Sequence, residues 1–409
     1  MSPRDSLPDR PLVSSGAGPT ARGLLIGGIA TFMIVMGIGR FAYTPILPDM
    51  IASHLLDVKS AGLLASSNFL GYLVGALGAA LFSRATIRRW MLIGAILASV
   101  LTTCAMGLTQ SHLLWHGLRF ASGVASAFAL VFSSGFVMEA LIARGRTNRI
   151  GWLYGGMGLG VASSSVVIEL LQQHGVRWDW QWLASAALAG VCAVPALWVA
   201  FAIRPVDAPR LASASAAPRA RLFGLHFTLL VIAYGGMGVG YVVQATYLPT
   251  MVRSLPGLGG FSTLAWMVMG LAAAPSNILW QVIGRRIGVM PALILGYLVQ
   301  AAGVMLPVLW LSVAGAMLGA AALGATLIGI TALALQQVQT LAHGQIPRAI
   351  ALITASFGLG QILGPPAAAM LVGPDNDFLL PSIMAAAVLV LSAMLLLPLL
   401  LASRSPAAR

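Results

Sequence analysis

Met36-Gly37-Ile38-Gly39, seven further residues, then Leu47-Pro48-Asp49-Met50: this stretch is written again 201 residues on, as Met237-Gly238-Val239-Gly240 and Leu248-Pro249-Thr250-Met251. Both copies close a long apolar run. A second pair, Gly158-Leu159-Gly160 and Gly358-Leu359-Gly360, keeps nearly the same offset. A first half repeated on this scale, in sequence of membrane type, predicts two related bundles that rock about a shared central site.

Hydrophobic residues fill 59% of the 409 positions and charged residues only 8%, where a soluble domain carries about 25% charged residues. The chain is therefore expected to thread a lipid bilayer many times. A formal net charge of +13 fits nucleic-acid binding only if the basic groups form a patch on one folded face. The arginines fall instead in short clusters between apolar runs, and Lys59 is the single lysine. No nucleic-acid partner is expected. Cys104 and Cys192 lie in apolar stretches without CxxC or His-rich spacing, which implies neither a disulfide framework nor a metal site. No cofactor is expected.

A helix needs about 20 apolar residues to cross the hydrocarbon core. Such windows fall near 23–47, 60–82, 90–109, 113–138, 150–171 and 182–203, and again near 223–249, 263–284, 290–311, 313–337, 350–372 and 380–402. The expected fold is all-α: twelve transmembrane helices in two pseudo-symmetric six-helix bundles, 23–203 and 223–402. A linker at 204–222, rich in Ala, Ser, Pro and Arg, joins them, and tails run over 1–22 and 403–409. The polar tail at 1–22 lacks the apolar core of a signal peptide.

Orientation follows from the arginines. With the N-terminus inside, the cytoplasmic segments hold eighteen of them, including Arg84, Arg88, Arg89, Arg144, Arg146, Arg149, Arg285, Arg286 and Arg348, against Lys59, Arg177 and Arg253 outside. That bias places both termini in the cytoplasm and the chain in a bacterial inner membrane. Tryptophans are expected at the span edges, Trp90 and Trp152 inside, Trp115, Trp178, Trp180, Trp182 and Trp310 outside.

The run Gly155-Gly156-Met157-Gly158-Leu159-Gly160 lacks the strand before it and the lysine after it that a phosphate-cradling loop needs. Small residues at this spacing instead allow helices to approach closely in lipid. No GxxxxGK[ST] occurs, so a gradient rather than ATP is expected to drive any transport.

Residues 37–50, GIGRFAYTPILPDM, resemble the first-helix signature of the YbfB/YjiJ-like branch of the major facilitator superfamily. Thr354-Ala355-Ser356-Phe357-Gly358-Leu359-Gly360-Gln361 with Gly364-Pro365-Pro366 resembles its eleventh helix. The likeness covers essentially the whole chain and implies a twelve-helix secondary transporter, with no cargo specified. Arg119-Phe120-Ala121-Ser122-Gly123 is similar to the superfamily's fourth-helix motif. In the loop after helix 2, Arg84, Arg88 and Arg89 match the basic positions, but Ser83 stands where the motif has an acid. The fifth-helix Gly-x-x-x-Gly-Pro pattern is met at Gly151 and Gly155, with Gly156 in place of proline, and helix 11 carries it at Gly360, Gly364 and Pro365.

Two charges fall inside spans. Arg40 and Arg119 each lie six or seven residues, roughly 10 Å, from the outer ends of helices 1 and 4. A charge at mid-membrane costs about 2.5–3.5 kcal/mol on the insertion scale, so it faces a cavity or a partner. No Asp or Glu lies near the centre of a span; Asp49, Glu139 and Glu169 sit at helix ends. His116, one turn before Arg119, is expected to share its face or to pack. The repeat maps Arg40 onto Tyr241 and Tyr43 onto Gln244, whereas Arg119 maps onto Ala320.

The expected substrate-binding residues are therefore Arg40, Tyr43, Arg119, Tyr234, Tyr241, Gln244, Asn277 and Gln361, with both arginines forming the positive wall of a site for a small organic anion. Gly37, Gly39, Pro45, Pro48, Gly158, Gly160, Gly358, Gly360, Pro365, Arg84, Arg88 and Arg89 are expected to serve the conformational change. A coupling ion such as H+ and a monomeric state complete the expectation. Efflux of bulky, weakly polar compounds and a non-transporting sensor of the same fold are the rivals. An enzyme is disfavoured, because no nucleophile–base or metal constellation appears.

Overall fold

The computed structural model describes residues 19–203, 224–342 and 345–404. The tail expected at 1–22 lies almost wholly outside the described residues, as do the linker expected at 204–222 and the last five residues of the tail expected at 403–409. Within them, twelve helices are long and apolar enough to cross a membrane. The first bundle holds α1 (Ala21–Ala52), α2 (Val58–Ala79), α3 (Ala85–Met106), α4 (His112–Ile142), α5 (Thr147–Gln173) and α6 (Trp178–Ala202). The second holds α7 (Leu225–Ser254), α8 (Gly259–Ile287), α9 (Val289–Leu309), α10 (Val313–Leu341), α11 (Arg348–Leu371) and α12 (Leu379–Ala402).

Several helices outrun the apolar windows because polar residues cap them. Thr20 Oγ1 accepts from the Gly23 N–H at 3.1 Å, Asp57 Oδ1 from Ser60 at 2.7 Å and Ser312 Oγ from Gly315 at 3.1 Å. Each takes an N–H that a helix start leaves without an intrahelical partner. The Ser60 N–H also holds the Asp57 carboxyl below the ordinary carboxylate range.

The Gly155–Gly160 run shows why glycines recur. Successive helical positions turn by about 100°, so the run points to two neighbours alternately. A Cβ on Gly156 or Gly160 would meet α1 backbone, 2.4 Å from the Ile29 O and 2.5 Å from the Met33 O. A Cβ on Gly158 would lie 2.4 Å from the Ala274 N and from the Gly270 O, on α8 of the other bundle. The repeat preserves this division: Gly360 packs on Gly235 and Val239 of α7, while Gly358 faces Leu73 of α2. One glycine of each pair closes its own bundle and the other lies on a seam between bundles. The phosphate-loop reading finds no place here.

Prolines supply the seam hydrogen bonds. A proline inside a helix frees the carbonyl four residues earlier. Pro249 frees the Ala245 O, which accepts from Thr44 Oγ1 of the first bundle at 2.7 Å. Thr44 and Ala245 are equivalent positions of the repeat, so the pseudo-twofold axis passes between them. Pro366 frees the Ile362 O, which accepts from Ser66 Oγ at 2.7 Å.

These contacts gather toward one end. The arginine-rich end carries Arg84, Arg88, Arg89, Arg144, Arg146, Arg149, Arg285, Arg286 and Arg348; the opposite end is closed. There Tyr247 Oη lies 3.1 Å from the Val58 O and 3.2 Å from the Pro365 O, Thr263 Oγ1 donates to Gln172 Oε1 at 2.6 Å, and Arg253 pairs with Asp49. Trp90, Trp152, Trp180 and Trp310 are exposed at helix ends, as expected. Trp115, Trp178 and Trp182 are not interfacial: all three are buried, Trp115 edge-on to Trp178 at 5.6 Å and Trp182 stacked on Tyr43 at 6.5 Å. Their rings fill the arginine-poor end of the first bundle.

Candidate functional site

The centre of the molecule is organised by an irregularity in α1. The helix is π-helical over Met33–Ile38, α-helical over Gly39–Phe41, and turns at Ala42. Such bulges occur often at functional sites because they re-aim the side chains that follow. Here they turn Arg40 into the interior, where it is 3% exposed. Its Cζ lies over the Tyr72 ring at 4.2 Å from the centroid, with Phe69 at 5.0 Å and Phe41 at 5.5 Å. Cation–π attraction partly compensates a buried guanidinium, yet Nε and Nη2 are buried without a hydrogen-bond partner. Those two N–H groups share one edge of the planar group. They form the side-on fork that matches a carboxylate.

The second bundle answers with neutral groups. Tyr241 lies within electrostatic and side-chain hydrogen-bonding reach of Arg40, and Gln361 Nε2 donates to its hydroxyl. Gln361 Oε1 remains buried and unpartnered. Phe357 is stacked between Tyr241, at 5.6 Å and 3°, and Tyr234, at 4.7 Å and 19°. Tyr234 Oη in turn bonds Thr331 Oγ1 at 3.1 Å. The structure thus brings Arg40, Tyr241, Gln361 and Tyr234 into one cluster from both bundles. Phe357, Thr331 and Tyr72 are only half-buried although their partners point inward. Tyr154 of α5, edge-on to Phe32 at 5.4 Å, is half-buried as well.

Four expected site residues are placed differently. Arg119 is a brace: Nη1 donates to the Gly39 O at 3.1 Å and Nη2 to the Arg40 O at 3.0 Å, while its Cζ lies 4.9 Å from the Tyr43 ring centroid. With both terminal nitrogens on α1 carbonyls, it presents no free pair of terminal N–H groups. Tyr43 donates to the Ala61 O at 2.9 Å and ties α1 to α2. Gln244 donates to the Val304 O at 3.0 Å and the Gly303 O at 3.3 Å, the latter freed by Pro307. It faces α9 because its spacing of three from Tyr241 turns it about 60° off the Tyr234–Tyr241 stripe. Asn277 donates to the Gly151 O at 3.4 Å, across the α5–α8 seam toward the arginine-rich end. His116 does not share the Arg119 face; Ser67 Oγ lies 2.7 Å from its Nδ1.

Of the residues expected to serve conformational change, Gly37 packs against the Gly160 Cα and Gly39 against Ser99. Pro45 offers its carbonyl to Gln172 Nε2 at 3.2 Å. Pro48 lies within α1 and Pro365 on the Tyr247 seam. Arg84 stands at the N-cap position of α3 without a side-chain capping bond, Arg88 packs over Phe136 of α4, and Arg89 donates to the Ile203 O. These arginine contacts stay within the first bundle.

The residue reading missed the aromatic members Phe69, Tyr72 and Phe357, which an apolar span hides, and it missed Asp49. Asp49 Oδ2 accepts from Gln172 Nε2 at 2.9 Å and Gln181 Nε2 at 2.7 Å, while Oδ1 pairs with Arg253 of α7. A cavity of about 280 Å³ beside it is lined by Gln172, Trp178, Arg177 and Arg253 among others. The signal was present: Leu-Pro-Asp-Met against Leu-Pro-Thr-Met differs only at this position.

Twelve helices in two bundles, glycine-packed seams and a buried polar centre shared by both halves define a transporter of the major facilitator type. The chain belongs to the family described as the uncharacterised MFS-type transporter YbfB, which it matches over residues 32–397. No curated protein is matched by the sequence. Among solved structures, a point variant of the nucleoside transporter NupG superposes with a TM-score of 0.74 at 12% identity, covering 92% of this chain and 99% of that one. A second NupG structure gives 0.69 at 14% identity, with 93% and 98% covered. At this identity the likeness establishes the fold alone.

Proposed function

We propose that this protein is a secondary active transporter of small organic anions, carboxylates foremost, working by alternating access around Arg40. The observation that carries the cargo class is the side-on edge of Arg40, buried between two bundles with no acidic partner at hydrogen-bonding distance among the described residues. A guanidinium so placed is poorly solvated until a carboxylate arrives, and two parallel hydrogen bonds then fix the ligand's orientation. Nucleosides, the cargo of the nucleoside transporter NupG, are neutral and would leave that charge uncompensated. In this reading the arginine-rich end is cytoplasmic by the positive-inside bias.

The test is flux into proteoliposomes that contain the purified protein and lack ATP. Radiolabelled acetate, benzoate, uridine and a lipophilic cation are compared under imposed substrate and proton gradients. Saturable carboxylate flux that follows a gradient is the expected result. Flux that requires ATP, or that is confined to uridine or the cation, overturns the proposal.

A further inference from the structure

We infer that the site selects a planar aromatic carboxylate, an inference that rests on the anion reading above and narrows it. A carboxylate bonded side-on to Nε and Nη2 lies in the plane of the guanidinium. That plane is held over the Tyr72 ring, 4.2 Å from Cζ to the centroid, with Phe69 and Phe41 also within 5.5 Å. A carboxylate conjugated to a ring is one continuous plane and extends this layer. A saturated, puckered ring cannot lie flat in that layer.

The second bundle presents a matching surface. Tyr234, Phe357 and Tyr241 form a continuous stack, with Phe357 and Tyr241 within 3° of parallel. At these separations the rings are offset-stacked, the arrangement aromatic pairs prefer. Phe357 is half-buried, so the stack is not wholly closed off by protein. Beside it Gln361 is held against Tyr241 by Nε2, leaving the buried Oε1 free to accept. A hydroxyl or N–H on the aromatic ring would satisfy it.

The experiment is equilibrium binding to the purified full-length protein in detergent, with benzoate, 4-hydroxybenzoate, cyclohexanecarboxylate, benzyl alcohol and uridine as probes. Benzoate should bind at least tenfold more tightly than cyclohexanecarboxylate, which has the same carbon count and charge but a puckered ring. The 4-hydroxy compound should bind at least as well as benzoate. Phe357→Leu, checked for an unchanged melting temperature, should reduce the benzoate preference while leaving cyclohexanecarboxylate affinity within about threefold. Equal affinity for the two six-ring acids would overturn the aromatic inference and leave the anion reading intact. Binding of benzyl alcohol or uridine with no binding of any acid would overturn both.

Discussion

Arg40 and Arg119 have the same side chain and the same burial, and the structure gives them different contacts. Arg119 places two charged hydrogen bonds on the carbonyls of Gly39 and Arg40, where the π-helical stretch ends. Each such bond is worth about 1.5–3 kcal/mol, and its loss also leaves a buried acceptor unpaired. Arg119→Ala is therefore expected to lower the melting temperature by several degrees in detergent, whereas Arg40→Lys should leave it nearly unchanged. Thermal unfolding of the two variants side by side checks this; equal destabilisation would mean that Arg40 is also structural. The sequence exposed both arginines but could not divide their roles. Which nitrogen is engaged depends on where another helix places its carbonyls, and that is a tertiary fact.

At the scale of helices, the repeated Gly-Leu-Gly is a two-sided spacer. A Cβ on Gly158 would meet backbone atoms of Ala274 and Gly270 at 2.4 Å, and backbone cannot turn aside. A Cβ on Gly358 would meet the Leu73 side chain at 2.9 Å, which can change rotamer. Overpacking typically costs about 1–3 kcal/mol. Gly158→Ala should therefore impair stability and flux clearly more than Gly358→Ala, as measured by thermal unfolding and proteoliposome uptake; the reverse order would mean that the α2–α11 seam is the tighter one. The spans themselves were legible, because 20-residue apolar windows and arginine clusters follow from the bilayer. The use of prolines was not. That Pro249, Pro307 and Pro366 free carbonyls for Thr44, Gln244 and Ser66 depends on distant residues meeting, and Gln244 was drawn toward the site when its spacing turns it to α9.

For the whole molecule, closure at the arginine-poor end depends on Asp49. Its carboxylate joins α1, α5 and α6 and pairs with Arg253 of the other bundle, while Gln172 passes the contact to Thr263. Asp49→Asn keeps the shape but removes the charge across the seam. It should raise labelling of a cysteine at Thr246, now 1% exposed, by a membrane-impermeant maleimide in a background without Cys104 and Cys192. Exchanging the pair, Asp49→Arg with Arg253→Asp, restores the charge pair but not the acceptor for Gln172 and Gln181, so protection should return only in part; unchanged labelling in Asp49→Asn would show that the pair is not a lock. Labelling of intact cells also tests orientation, since the arginine-poor end should be reached from outside.

The central claim is that one guanidinium, Arg40, holds the cargo's carboxylate through both nitrogens of its side-on edge. Benzoate affinity of the wild type and of Arg40→Lys, measured by titration calorimetry on the same purified preparations, tests it most directly. Lysine keeps the charge and loses the fork. The predicted result is a loss of affinity of tenfold or more with the melting temperature unchanged. Wild-type affinity in Arg40→Lys would contradict the account and leave Arg40 as an aromatic-packed cation with no part in binding.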